Sequence, residues 1–425
     1  MNSKSKLVAA VDIGSAKIAT LIAQVSTDLA TLDTSVSIVG ASQVPSKGVK
    51  KGQIVDIEEA VDATIQAVEA AERMAGYNLD AAFVSVGGGH IESLNSTGVV
   101  AVSDPHGEIS SDDVDRVIDA AKAVSLPTSR EIIHVIPRQF MVDGETGIKD
   151  PVGMSGVRLE VETHLVTASS AALKNLTKSV NEVGIQIQEL VFSGLASSFS
   201  GLSDTEKELG CVLIDIGGGT TSIAVFVDGA LVYSATLPIG AKNVTNDLAI
   251  GLRVSLDSAE KIKLALSDKK QNKEENKNDT IDIADLGAGE NKKVSKRTLI
   301  EGIIRPRLNE IFTMVRLDIE KKNLINRIPS GAIITGGGAL TVAVEESAKR
   351  MLSLPVRIGM PQKVTGLIDD IMTPAFATSV GLILYGSQRG SFQQSSSLPG
   401  FSKKLKLPGG SIFGKLTDAI KDLLP

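Results

Sequence analysis

The feature that most constrains this chain is an internal repeat. Ala10-Val11-Asp12-Ile13-Gly14 recurs about 200 residues later as Leu213-Ile214-Asp215-Ile216-Gly217. Each copy enters as an apolar strand, turns on small residues and leaves as a second apolar strand, Ile18-Ala19 in one and Ile223-Ala224-Val225 in the other. A single strand–glycine–strand unit is a common structural turn. Two copies at half-chain spacing imply a duplicated domain with two facing loops. At 425 residues the chain exceeds one ordinary core, so two or more domains are expected.

Around the repeat, the pattern predicts strands at 7–13 and 17–25 and a helix over about 57–75. Asp56 and Glu59 form its expected capping box, Val61, Ile65 and Val68 its inner face, and Gly76 its stop. A second helix starts at Ser110–Asp113 with Val114, Val117, Ile118 and Ala121 inward. A mixed α/β stretch follows over 165–200, then a strand pair at 211–227. The Lys-, Asn-, Asp- and Glu-rich run 267–296 reads as a solvated, mobile insertion. Residues 387–410 read as a flexible linker.

Phosphate held between two domains needs bare backbone N–H donors and a carboxylate for hydrated Mg²⁺. Gly14, Ser15 and Ala16 supply donors in the first loop, and Gly217, Gly218, Gly219 and Thr220 in the second. Asp12 and Asp215 end their strands and supply the acids, acting through water because Mg²⁺ keeps several of its own. A third glycine cluster, Gly336-Gly337-Gly338-Ala339, follows the strand Ala332-Ile333-Ile334-Thr335, and its bare backbone suits a flat adenine ring. Glu260 and Lys263 share one face of a helix. Alone, a glycine triplet is more often a turn and such a Glu/Lys pair more often a surface pair. Three clusters in this order reverse that weighting.

Composition excludes other classes. Hydrophobic residues at 42% and charged residues at 22% are a globular balance. A net charge of −6 argues against nucleic acid as the main ligand. A single cysteine, Cys211, and no secretory leader suggest a reducing, cytoplasmic setting, and Cys211 reads as strand core. His90, His106, His134 and His164 show no metal spacing and read as structural or surface residues. No Ser/His/Asp constellation is visible, and no apolar run reaches the ~20 residues that cross a bilayer.

The tail is different. From Ser411, a plausible N-cap, at ~100° per residue, Ile412, Phe413, Leu416, Ala419, Ile420, Leu423 and Leu424 fall within roughly 140° of a helix. Such a face usually packs in a core. After a linker of more than twenty residues it has no assured core, and it suits a lipid interface. Lys403, Lys404 and Lys406 precede it and would meet anionic headgroups.

Residues 10–20, 212–224 and 332–342 resemble the two phosphate loops and the adenosine loop of the actin, Hsp70 and sugar-kinase ATPases. Glu260 and Lys263 resemble the ribose- and base-contacting pair of the bacterial members. The resemblance adds Lys17 and Gly240 to the nucleotide site and implies ATP and Mg²⁺ as ligands. Up to residue 386 the chain resembles the bacterial cell-division FtsA family. The marker segments are Pro45–Gly48, His134–Pro137 through Gly147–Arg158, and Phe192–Ser198.

That resemblance implies a two-lobed actin-like α/β fold with an FtsA-type extra subdomain and a C-terminal amphipathic helix. Subdomain 1A would comprise 1–84, 166–203 and 366–386, and the family-specific 1C 85–165. Subdomain 2A would comprise 204–250 and 331–365, 2B 251–330, with the linker at 387–410 and the membrane helix at 411–425. It further implies actin-like self-polymerisation, tethering of FtsZ filaments to the cytoplasmic face of the inner membrane at the septum, and recruitment of later division proteins through 1C. Subdomain 2B would receive the FtsZ C-terminal tail, with Arg305 and Arg307 pairing its acids. ATP hydrolysis is expected to be slow at most, since no residue stands out to position water. A sugar-kinase-type phosphotransferase would need a catalytic carboxylate beside a closed sugar pocket, which is not recognisable. A pilus-assembly relative would lack the tail and the 134–158 segment.

Overall fold

The computed structural model describes residues 3–28, 33–104, 106–268, 279–284, 286, 293–367 and 369–392. The chain divides into two units, Met1–Gln388 and Arg389–Pro425. The sheets and cores below belong to the first.

Both copies of the repeat fold alike. Strand β1 (Ser3–Ile13) turns at Gly14 into antiparallel β2 (Lys17–Asp28), with Asp12 opposite Ala19 and Ile13 opposite Ile18. Strand β3 (Thr34–Pro45) continues the meander. After helix α1 (Ile57–Ala75), β4 (Ala81–Val86) returns parallel to β1, a pairing that needs such a crossover.

An insert follows: β5 (Glu92–Ala101), α2 (Ser111–Lys122), β6 (Arg130–Val142), β7 (Glu145–Ile148) and β8 (Arg158–Ser169). Its sheet runs β5-β8-β6-β7 and closes its own core of Ile109, Val117, Ala121, Phe140, Val142, Leu159 and Val161. The chain then re-enters the first sheet through α3 (Ser170–Glu182) and β9 (Gln186–Phe192), and α4 (Ser193–Gly201) leads to the second copy.

There β10 (Cys211–Ile216), β11 (Thr221–Val227) and β12 (Ala230–Leu237) repeat the meander, with Asp215 opposite Ser222 and Ile216 opposite Thr221. Helices α5 (Ala241–Leu252), α6 (Leu256–Ser267) and α7 (Arg305–Glu320) precede β13 (Ala332–Thr335), which returns parallel to β10 as β4 does to β1. Helix α8 (Val344–Leu352), β14 (Val356–Ile358), β15 (Thr365–Gly366) and α9 (Ala377–Phe392) complete the fold. The orders are β9-β4-β1-β2-β3-β15 and β12-β11-β10-β13-β14. Every residue of β10 and β11 is buried, as expected of strands covered on both faces.

Four expectations need correction. Asp56 caps α1 by accepting from Glu59 N at 3.1 Å, but no reciprocal bond from the Glu59 side chain closes a box. The face of α1 that is buried is Ala60, Ala63, Thr64, Ala67, Val68 and Ala71, while Val61 and Ile65 stay half-buried. The reason is close approach: a Cβ on Gly40 of β3 would lie 2.5 Å from Ala71 O, so the contact admits only small side chains. Within 267–296, Thr280–Asp282 pairs with Lys293–Ser295, and Ile283 is buried in the second-lobe core. Helix α9 runs to Phe392, six residues into the stretch assigned to linker; residues 393–410 lie outside the described residues.

Ser110 and Asp113 do form a full capping box on α2. Cys211 is buried, and burial pushes its thiol up to about 12. Among the described residues no group of three or more His, Cys, Asp or Glu is placed to hold a metal ion.

Candidate functional site

The two turns of the repeat are built the same way. Gly14 N–H donates to Lys17 O at 3.0 Å and Gly217 N–H to Thr220 O at 2.8 Å. Their crests face each other. A Cβ on Gly218 would lie 2.6 Å from Ala16 Cβ, and one on Gly219 would lie 2.9 Å from Ser15 Oγ, so the loops meet only because these residues are bare backbone. Gly240 caps α5 against the second turn, where Ala241 N and Lys242 N donate to Gly217 O and Gly218 O at 2.9 and 2.8 Å. Lys242 Nζ reaches across to Ser15 O at 2.7 Å.

The two acids sit at equivalent register positions, and each is held by hydroxyls. Asp12 accepts from Ser85 Oγ at 2.6 Å and Ser379 Oγ at 3.4 Å. Asp215 accepts from Thr378 Oγ1 at 2.8 Å and from Ser197 Oγ. Burial raises Asp12 above the usual carboxylate range. It raises Asp215 to about 6, against the pull of its two hydroxyls. Lys17 is pushed down to about 8 by burial, with Asp12 and Asp215 drawing it back up. Its ammonium stands 3.4 Å from the Phe376 ring centroid and donates to Gln43 Oε1 at 3.3 Å.

These groups line one cavity of about 160 Å³, bounded by Asp12, Gly14, Ser15, Ala16, Lys17, Asp215, Gly217, Gly218, Thr220, Gly336 and Gly337 among others. Gly219, Gly240, Glu260, Lys263, Gly338 and Ala339 are not in its lining. Gly336, at φ +82°, turns the third glycine cluster against Asp215; a Cβ there would lie 2.2 Å from Asp215 Oδ1. Glu260 and Lys263 are not a free surface pair. Lys263 is buried, its Nζ 2.7 Å from Glu260 Oε2 and 2.9 Å from Thr245 Oγ1 of α5.

Sequence reading missed Ser85, Ser197, Thr378, Ser379 and Lys242. Ser197 lay inside the Phe192–Ser198 marker segment, which was a usable signal. Ser85 stands two residues before Gly87-Gly88-Gly89, a glycine cluster that also offered a signal, whereas Thr378, Ser379 and Lys242 have none beside them.

Arg305 and Arg307, expected to pair acids of the FtsZ tail, already hold carboxylates within the chain. Arg307 is held by both oxygens of Asp247, at 2.6 and 2.9 Å. Arg305 Nη2 donates to Glu346 at 2.7 Å and also pairs Glu301. Ile412, Phe413, Leu416, Ile420, Leu423 and Leu424 of the tail lie outside the described residues. No described helix is long and apolar enough to cross a membrane.

Two family models match: "SHS2 domain inserted in FTSA" over residues 88–167 and "Cell division protein FtsA" over 212–381. The first coincides with the insert seen in the fold. The chain is 37% identical to cell division protein FtsA of Pseudomonas aeruginosa, covering 97% of this chain and 96% of that one. It is 39% identical to the protein of that name from Borreliella burgdorferi (94% and 95% covered) and 34% identical to that of Escherichia coli (90% and 91%). Among solved structures, a PilM–PilN type IV pilus biogenesis complex matches with TM-score 0.60 at 15% identity, over 89% of this chain and 98% of that one. MreB5 of Spiroplasma citri bound to ADP matches with TM-score 0.52 at 14% identity, over 92% and 99%. At such identities these likenesses show the shared actin-like fold alone.

Proposed function

The chain belongs to the FtsA family of cell-division proteins, and from that premise we propose that it binds ATP with Mg²⁺ between its two loops, polymerises as actin-like proteins do, and tethers FtsZ filaments to the cytoplasmic membrane at the septum. The observation that carries the nucleotide reading is the pair of equivalent turns set face to face, each with a buried acid behind it. The MreB5 relatives carry ADP and AMPPNP on the same fold.

In this reading the amides of Ser15, Ala16, Gly218, Gly219 and Thr220 cradle the phosphates. Lys17 adds a positive charge, and Gly240 joins the second loop to the N-terminus of α5, whose first amides hold Gly217 O and Gly218 O in place. Asp12 and Asp215 hold the hydrated Mg²⁺, which neutralises phosphate charge. Their hydroxyl-lined, buried carboxylates fit that task, because an uncompensated buried acid gains most from a cation. Gly336–Ala339 back the adenine, and Glu260 and Lys263 contact the ribose and base.

The insert answers to subdomain 1C, which recruits later division proteins, and the segment from α6 through α7 to 2B. For the FtsZ tail, Arg305 is the better of the two arginines. Its partners Glu301 and Glu346 are exposed, so an incoming carboxylate exchanges one ion pair for another. Arg307, gripped bidentately by Asp247, is structural. Membrane attachment rests on the amphipathic pattern of 411–424. A fluorescent fusion should gather at midcell when FtsZ is present and spread over the membrane when FtsZ is depleted. Even cytoplasmic fluorescence in both conditions would overturn the tether.

A further inference from the structure

We propose that a second cavity, of about 250 Å³ at the seam between the insert and the second lobe, binds a small phosphate-bearing anion. It lies apart from the nucleotide cleft, and the proposal does not depend on that reading. Its lining carries Arg138 of β6, Lys322 and Arg327 just after α7, and the neutral polar groups Asn95, His164 and Tyr233, with no carboxylate.

The three cations are held without the close partners that other arginines of this chain have. Arg307 meets Asp247 at 2.6 and 2.9 Å, and Arg357 meets Glu206 at 2.6 and 2.7 Å. Arg138 Nη1, by contrast, stands 3.6 Å from Glu162, and its Nε is buried with no hydrogen-bond partner. Arg327 Nη2 stands 3.7 Å from Asp228, and the Lys322 ammonium lies 5.5 Å above the Tyr233 ring. Three loosely paired cations around one cavity whose lining has no carboxylate repel one another, and a bound anion offsets that repulsion.

The neutral groups sharpen the chemistry. His164 is fixed between Asn95 Oδ1 at 2.7 Å and Ser234 Oγ at 3.0 Å. Burial and the nearby Arg138 hold its pKa down to about 3, so it stays a neutral strut while the cations carry the field. A cavity this small, with a guanidinium fork and two further cations, suits a tetrahedral oxyanion of more than one charge, such as a phosphomonoester or a diphosphate. An anion there would join the insert to β12, and through β11 to the strand that carries Asp215.

The test uses the full chain, titrated calorimetrically with inorganic pyrophosphate at low ionic strength, without Mg²⁺ or nucleotide. Lys322 and Arg327 are exposed, so Lys322→Gln/Arg327→Gln should fold normally. It should weaken seam binding by about tenfold or more, with the wild-type affinity falling as salt is raised. Arg138→Lys, which keeps the charge but loses the fork, should also weaken it. Gly218→Asp, in the nucleotide cleft, should leave the seam event intact. Absence of binding by the wild type, equal binding by the double variant, or loss of all binding in Gly218→Asp would each overturn the proposal.

Discussion

Asp215 shows how a residue's placement sets a measurable pH dependence. Its folded pKa of about 6 lies above the ordinary value of 3.8, because burial outweighs the Ser197 and Thr378 hydroxyls. Between those values the folded chain holds a proton that the unfolded chain has lost. Its contribution to stability is therefore full below about 3.8 and is lost as pH rises through 6. Asp215→Asn removes that loss, so denaturant titration at pH 7.5 should find the variant more stable by about 1–3 kcal/mol. Equal or lower stability would contradict the burial account. Mg²⁺–ATP affinity in the unaltered chain should fall below pH 6, since the cation needs the ionised acid. The acids themselves were legible, because the repeat places Asp12 and Asp215 at matching strand ends. Their hydroxyl partners were less so: Ser85 is 73 residues from Asp12 and Thr378 is 163 from Asp215, and nothing near either ties it to its acid.

Elements reveal a different limit. Helix α2 was readable from Ser110, Asp113 and its apolar spacing, because capping and periodicity are local. The inner face of α1 was misread because the decisive fact is non-local. Gly40 lets the helix sit so close to β3 that alanines face the sheet beside the expected Val68, while Val61 and Ile65 stay half-buried. Gly98 plays the same part in the insert, where a Cβ would lie 2.1 Å from Val117 O and 2.7 Å from Ala121 N. Gly98→Ala should lift α2 from β5 at a cost of about 1–3 kcal/mol. Hydrogen exchange should then quicken in β5 and α2 while β10 and β11 are unchanged. Equal acceleration in both lobes would show that the insert is not the separate packing unit its own core implies.

For the whole molecule, the duplicated architecture was legible because the same meander occurs twice in sequence and in register. The engaged state of Arg305 and Arg307 was legible only in part: Glu301 and Glu310 lie within one helical turn of them, but Glu346 and Asp247 are 41 and 60 residues away. The tail belongs to this scale because its proposed role is to join the molecule to a surface. Phe413→Glu or Leu416→Glu should release the protein from anionic liposomes, because each buried apolar side chain is worth roughly 1.5–3 kcal/mol. Lys415→Glu, on the polar face, should matter far less. Deleting 411–425 should abolish flotation with lipid and leave ATP binding intact; persistent flotation would mean the tail is a partner helix. The central claim is that the two facing loops form the nucleotide site, and calorimetry of Mg²⁺–ATP binding tests it most directly. Gly218→Asp sets a carboxylate against the phosphates, and Asp215→Ala removes the acid behind them. The account predicts that both lose affinity by about tenfold or more while remaining folded. Wild-type affinity in both variants would place the nucleotide elsewhere.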